Sequence, residues 1–392
     1  MRIVINGIGV AGPALAYWLS KSGHEVLIVE SAPQLRTDGY VIDFWGLGYD
    51  IAEKMGLVDE IRALGYQVRE VRYVGRNGQK RGGFNVDVFG RITNGRFTSV
   101  RRSDLSATIY RAIERNVETI FGDSVASIDD QGDQVRVTFD HAPARDVDLV
   151  IGADGLHSRV RRLAFGPGAD VQTSLGYHVA AFEVDGYRPR DELVYVSNDR
   201  PGRQISRFTT RDDSTIFLFI FRDEYITIQE EPKAILRRVF AGTGWEWPAI
   251  EAALMRAEDI YYDPVSQIRL DRWTKGRVAL VGDAAACVSL MAGEGTGLAM
   301  VEAYVLAGEL HACQGNHAAA FARYEELLMP FLRKKQLSAT KLASSFAPKT
   351  SWGIAFRNQV TKLMRVRWIA DLAVGRAFRD DIVLPDYDLP LP

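Results

Sequence analysis

The chain has 392 residues, 47% of them apolar and 25% charged, a near-average globular composition that excludes a disordered, collagen-like or low-complexity protein. Against 50 Asp and Glu stand 48 Lys and Arg, a net charge of −2, so there is no basic excess for nucleic acid and no acidic tail. The 35 glycines, about 9% against an average near 7%, are the one mild excess. The two cysteines, Cys287 and Cys313, are far apart, and the six histidines form neither a His-x3-His pair nor an HExxH motif. A disulfide framework and a metal site are therefore not expected, which suits a reducing cytoplasm. No run of 18 apolar residues is present to span a membrane.

Arg2 and the apolar stretch behind it superficially resemble a secretory signal, but three glycines at fixed spacing interrupt the stretch and it feeds a strand. A strand at Ile3-Val4-Ile5, the run Gly7-Ile8-Gly9-Val10-Ala11-Gly12, a helical pattern through Ala14, Leu15, Trp18 and Leu19, and a strand over 25–29 form one unit. In such a unit the first glycine permits the turn, the second lets amides approach a pyrophosphate, and the third lets helix and strand pack. The uncapped helix start then faces the phosphates. Glu30 ends the second strand 18 residues after Gly12, where a dinucleotide fold places a carboxylate for a ribose. The motif alone does not separate FAD from NAD.

Two more strand–glycine–helix junctions follow. Residues 148–161 give a strand at 149–151, a turn at Asp154-Gly155 and a polar helix start. Residues 278–300 give a strand at 278–281, Gly282-Asp283, and a second glycine cluster at Gly293, Gly295 and Gly297 that opens a helix. Three such junctions imply one extended ligand touched by several loops. Between them, 177–184, 192–196, 203–208 and 215–221 read as strands of an antiparallel sheet, with Ser197 to Gly202 as a turn cluster. Phe217, Phe219 and Phe221 alternate onto one face. Helices are expected over 232–240 and near 250–255. Trp245-Glu246-Trp247 lies between them and reads as structural. A long helix is expected over 317–347, kinked or ended locally by Pro330. An apolar stripe (Phe356, Val360, Leu363, Met364, Trp368, Leu372), flanked by Arg357, Lys362, Arg365 and Arg367, marks a last helix, expected to dock over the substrate domain.

With all three fingerprints in order over roughly 1–345, the chain resembles the FAD-dependent aromatic hydroxylases, the p-hydroxybenzoate hydroxylase-like flavoprotein monooxygenases. It looks most like the branch that contains tetracycline-inactivating enzymes. That likeness rests on Asp43 after Arg36-x-x-Gly39, on Trp273-Thr274-Lys275-Gly276-Arg277, and on residues 303–310. The resemblance implies an α/β fold: a Rossmann-like FAD-binding domain (1–72, 98–170 and 272–345), an inserted, mostly antiparallel substrate domain (73–97 and 171–271), and a C-terminal helix and tail (346–392). It implies that Gly7, Gly9 and Gly12 cradle the FAD pyrophosphate and Glu30 holds the ribose. Arg36 would sit where NADPH (or NADH) approaches. Asp43 and Arg102 would contact FAD, with Arg101 as the alternative guanidinium. Asp154 and Gly155 would support the phosphates, and Asp283 the ribityl hydroxyls. Gly293 and Gly295 would bring amides to the isoalloxazine ring. Asp154 and Asp283 have an alternative role as helix caps.

The family's histidine, proline, glutamine and asparagine near the third junction are replaced by Ala286, Leu290, Glu294 and Gly297. Two readings of Glu294 stand. It either opposes an anionic reduced flavin, by roughly 3 kcal/mol at about 6 Å and an effective dielectric near 20, or it points to solvent and caps the helix. The implied reaction takes NAD(P)H and O2 through a flavin hydroperoxide to hydroxylate an aromatic or polyketide-like small molecule, with a tetracycline as one candidate. No substrate-activating base stands out. The alternatives are a prenyl-chain flavin reductase, a flavin-dependent halogenase and a non-catalytic flavin-binding protein. The expected state is a cytoplasmic monomer or homodimer, with no metal, nucleic acid or membrane span.

Overall fold

The computed structural model describes residues 1–35, 40–166, 172–226, 231–289, 293–363 and 380–389. Arg36, Gly39, Leu290, Met364, Arg365, Arg367, Trp368 and Leu372 lie outside the described residues.

The chain opens with β1 (Arg2–Asn6), α1 (Ala11–Lys21), β2 (Glu25–Glu30), β3 (Val41–Trp45), α2 (Gly46–Lys54) and α3 (Val58–Leu64). It then makes β4 (Glu70–Val74), β5 (Lys80–Asn85), α4 (Asp87–Ile92), β6 (Phe97–Arg101) and α5 (Arg102–Arg111). Next come β7 (Glu118–Phe121), β8 (Val125–Asp130), β9 (Val135–Phe139), β10 (Arg145–Val147), β11 (Leu149–Gly152) and α6 (Arg159–Phe165). The middle of the chain supplies β12 (Gln172–Asp185), β13 (Val194–Arg200), β14 (Arg203–Thr209), β15 (Ser214–Arg222), α7 (Pro232–Phe240), α8 (Trp247–Arg256) and β16 (Tyr261–Ile268). The last part holds β17 (Thr274–Lys275), β18 (Val278–Leu280), α9 (Asp283–Ala286), α10 (Gly295–Ala312), α11 (His317–Phe346) and α12 (Ser351–Leu363).

Two sheets dominate. The first has the order β17-β18-β11-β1-β2-β7 and is parallel except at β17. Its strands are near-continuous apolar runs because helices cover both faces, as a parallel sheet requires. Helix α10 is apolar on every side, and each residue from Leu298 to Leu310 is buried. An all-round apolar helix belongs inside a core. The second sheet has the order β16-β12-β15-β14-β13-β4-β5 and is antiparallel except where β13 meets β4. Phe217, Phe219 and Phe221 all point to one face of it and form a core with α7 and α8.

Three sequence expectations need correction. Ser197 to Arg200 is strand rather than turn, so the β13–β14 hairpin closes at Pro201-Gly202. Its polar side chains are tolerated because each finds a buried partner: Ser197 and Ser206 share a hydrogen bond, and Asn198 donates to the carbonyls of Val74 and Gly75. Pro330 does not end α11, which runs unbroken for 30 residues. Trp247 begins α8 instead of lying in the preceding loop. Beside it, Glu246 ion-pairs with the buried Arg207 at 2.8 Å, which supports the structural reading of the Trp-Glu-Trp stretch.

Candidate functional site

Because β1, β11 and β18 are adjacent and parallel, their C-terminal ends open on the same edge of the sheet. The three glycine junctions therefore meet, as ligand loops do in open α/β folds. Gly7 has φ +113°, and a Cβ there would lie 2.5 Å from the Ala153 carbonyl oxygen. A Cβ on Gly12 would lie 2.0 Å from the Gly7 oxygen, so both glycines are demanded by the backbone itself. Gly9 differs: the nearest atom to a Cβ there is Nη2 of Arg102, at 3.8 Å. Helix α1 carries no side-chain N-cap, so its first N–H groups remain open toward this space. The Ser106 hydroxyl, donating to the Ile8 and Gly9 carbonyls, holds the loop from behind.

Glu30 is buried at the end of β2. Its Oε2 accepts from the Ile8 amide at 2.8 Å, and its Oε1 accepts from Ala32 N–H and the Ser31 hydroxyl. A carboxylate has about four acceptor positions, so the residue ties down the glycine loop and still keeps one for a hydroxyl.

The adjacent arginines separate cleanly. Arg101 reaches to the second sheet, pairing with Glu183 at 2.7 Å and Asp212 at 3.4 Å and donating to the Tyr66 hydroxyl. Those partners hold its guanidinium well above the usual arginine range against the opposing effect of burial. The Arg102 side chain has no hydrogen bond or ion pair among the described residues, and its guanidinium lies against the open side of Gly9. It also favours the ionised forms of Tyr40 and Tyr261, and Asp283 disfavours them, so these four groups share one neighbourhood. Burial, the larger effect, pushes Tyr40 up to about 12. Nothing local announces the Tyr40–Tyr261 pair, whose rings stand 6.1 Å apart, because its members belong to distant segments of the chain.

Asp43 projects from β3 into a cleft that Gly293, Glu294 and Gly297 also line. Its Oδ1 accepts from the Ser99 hydroxyl at 2.6 Å. The protein around it raises its pKa, and the Ser99 hydrogen bond opposes this. Asp283 starts α9, with its Oδ1 3.9 Å from the position of a Cβ on Gly295, so the last two glycine segments are neighbours. Gly155 and Gly293 take positive φ with open space around them.

Asp154 is committed to the fold. Its carboxylate accepts from the Arg159 and Val160 amides at the start of α6, from the Ser158 hydroxyl, and from the Asn6 amide at the end of β1. Its geometry is that of the cap alternative.

Glu294 does not follow the reading in which it points to solvent and caps the helix. It makes no side-chain cap and is only 14% exposed; its Oε2 pairs with Lys335 Nζ at 2.8 Å. Three further groups were not singled out from the sequence. Lys335 pairs as well with Asp380 at 2.7 Å. Arg161, 1% exposed, donates to the Leu156 and Ala284 carbonyls and staples the second junction to the third. Glu302, 2% exposed, accepts from the Gly282 amide and the Tyr324 hydroxyl beneath Asp283, and burial raises it well above the usual carboxylate range. Their partners lie on distant segments, which no local spacing announces.

A family profile described as an FAD binding domain matches residues 1–327. The chain is 38% identical over 345 residues to an uncharacterised protein of Mycobacterium tuberculosis, covering 85% of this chain and 91% of that one. It is 33% identical over 393 residues to a flavin-dependent monooxygenase from an unknown prokaryotic organism, covering 99% of both. The structure is similar to that of the tetracycline destructase Tet(51), with a TM-score of 0.83, 32% identity, and coverage of 98% of this chain and 99% of that one. The mixed parallel and antiparallel architecture, the three converging junctions and these full-length likenesses agree: the chain belongs to the FAD-dependent monooxygenases, flavoprotein oxidoreductases that typically draw on NAD(P)H.

Proposed function

We propose that this enzyme hydroxylates an aromatic or polyketide-like small molecule, with a tetracycline as one candidate, using NAD(P)H and O2. The observation that carries the reading is the cleft at the three strand ends, where the Arg102 guanidinium, without a partner among the described residues, faces the open side of Gly9. That cradle fits an anionic dinucleotide: open amides at α1, a free cation beside them, and carboxylates at Glu30 and Asp283 for hydroxyls. The full-length likeness to Tet(51) supports the substrate class.

When bound, FAD would supply the redox chemistry, taking reducing equivalents from NAD(P)H and activating O2. The chain's own part is positional. Gly7 and Gly12 fix the loop, and Gly9 leaves room for phosphate. Arg102 would neutralise the phosphates, Asp283 would orient the ribityl chain, and Asp43 would meet FAD from the β3 side. Gly155, Gly293 and Gly295 offer backbone at the cleft without side chains in the way, and Arg36 is assigned to the nicotinamide approach. Arg101, pinned to Glu183 on β12, would hold the second sheet over the cleft and so help exclude water. We assign 1–72, 98–170 and 272–345 to the FAD unit and 73–97 and 171–271 to the substrate unit, in a cytoplasmic monomer or homodimer.

The test is spectroscopic and kinetic. The purified protein should be yellow or become so with FAD. Phenols, polyketides and tetracyclines should then be screened for stimulated NADPH oxidation coupled to O2 uptake. A colourless protein that takes up no FAD overturns the reading, and substrate reduction without O2 consumption replaces hydroxylase with reductase.

A further inference from the structure

Glu294 directly precedes α10, where an acidic side chain ordinarily turns back toward the helix's unpaired amides and positive end. Here it makes no cap bond and is held instead by Lys335 of α11. Lys335 is held in turn by Asp380, which belongs to a C-terminal strap, and the other oxygen of Asp380 accepts from the Leu47 amide at the start of α2. All three side chains are only 12–14% exposed. Glu294 and Asp380 line the same cleft as Asp43, Gly293 and Gly297. Beside Asp43, the cleft thus holds two carboxylates that share one ammonium, the three groups being drawn from three separate parts of the chain.

We propose that Lys335 and Asp380 are positioning residues for the flavin: they draw Glu294 away from the N-terminus of α10, leaving its amides for the FAD ring and limiting the negative charge that the ring meets. The inference rests on the reading that α10 starts at the flavin. Removing Lys335 leaves two mostly buried carboxylates without their cation, where charge is less screened than in water. The reduced, anionic ring is then disfavoured relative to the oxidised ring. Removing Glu294 or Asp380 has the opposite sign, because one negative charge is taken from the ring's surroundings while the ammonium stays.

The experiment is redox titration of bound FAD at pH 8, with FAD affinity measured by fluorescence quenching, in Lys335→Met, Glu294→Gln, Asp380→Asn and the double variant Glu294→Gln/Lys335→Met. Lys335→Met should weaken binding of reduced relative to oxidised FAD by at least tenfold, about 30 mV for a two-electron couple. Each carboxylate variant should move the potential upward, and the double variant should recover at least half of the Lys335→Met shift. Should Lys335→Met fail to fold, the two near-isosteric carboxylate variants decide by the sign of their shifts. Potentials that do not move, or a Lys335→Met shift that persists in the double variant, overturn the inference while FAD still binds. A wild-type chain that binds no FAD overturns the cofactor reading and this inference with it.

Discussion

Arg101 and Arg102 stand side by side in the chain, yet one is spent on Glu183, Asp212 and Tyr66 and the other lies beside Gly9 with no side-chain partner among the described residues. The backbone turns from strand to helix between them, so the side chains leave in different directions. Sequence could nominate the pair but could not divide it, because the division depends on a β12 carboxylate far along the chain. Arg102→Met should weaken FAD binding about 10- to 100-fold, the worth of roughly 1.5–3 kcal/mol for a hydrogen bond to a charged group. Arg101→Met should lower the melting temperature and leave FAD affinity within a few-fold of wild type. Fluorescence titration and thermal melts of both variants check this, and reversed phenotypes would exchange the assignments. Glu294 carries the residue scale to pH. Burial pushes its carboxyl up to about 7 from a usual 4.5, against the opposing pull of Lys335, and Asp380 adds to the rise. A raised acid binds its proton more tightly when folded, so its contribution to stability is present below about 4.5 and is lost as pH climbs through 7. The apoprotein melting temperature, taken relative to Glu294→Gln, should therefore fall between pH 5 and pH 8. Parallel curves would refute it.

At the scale of elements, what was legible was what is local. The first junction needs Gly12 because of the Gly7 carbonyl in the same loop, and the Gly-x-Gly-x-x-Gly spacing encodes that requirement directly. The apolar runs of β1, β11 and β18 and the alternation of Phe217, Phe219 and Phe221 were readable for the same reason. The end of β13 reads as turn from its sequence because its polar residues are satisfied across the hairpin and from outside it, by partners that composition does not announce. Asp199, 8% exposed, pairs with Arg357 of α12. The three glycines of the loop make a discriminating set. Gly12→Ala puts a Cβ 2.0 Å from the Gly7 oxygen, an overpacking that should cost about 1–3 kcal/mol of stability and FAD binding with it. Gly9→Ala has room, since its nearest neighbour is the flexible end of Arg102 at 3.8 Å. It should melt like wild type and still bind FAD at least tenfold more weakly. If Gly9→Ala bound FAD normally, the space beside Gly9 would not be where the pyrophosphate lies.

At the scale of the whole molecule, the C-terminal region does more than cover the second sheet. Helix α12 does lie against β5 and β13: the Thr361 hydroxyl accepts from the Gly83 amide, and the Arg357 guanidinium pairs with Asp199 and lies 4.1 Å from the centre of the Tyr73 ring. The strap Asp380–Leu389 then returns to the parallel-sheet unit. Tyr387 fits over Gly308 and donates to Glu309, Tyr304 donates to the Pro385 carbonyl, and Lys54 pairs with Asp386. One terminal segment therefore grips both sheets, a role invisible in a stripe of apolar residues because docking is set by what the rest of the chain leaves uncovered. This makes the Asp199–Arg357 pair the contact to break when asking what α12 does for the reaction. Arg357→Met leaves a buried carboxylate without its partner, and losing one half of such a pair costs roughly 3–5 kcal/mol. Because the strap holds the end of the chain separately, that loss should free α12 without unfolding the core: proteolytic cleavage within 351–363 should accelerate severalfold while FAD stays bound. The KM for an accepted substrate should rise more than kcat falls. Asp199→Asn/Arg357→Met removes the stranded charge and should restore most of the protease resistance. An Arg357→Met protein with unchanged cleavage and unchanged KM would mean that α12 is held by its apolar face alone, and that the buried pair contributes nothing to closing the substrate side.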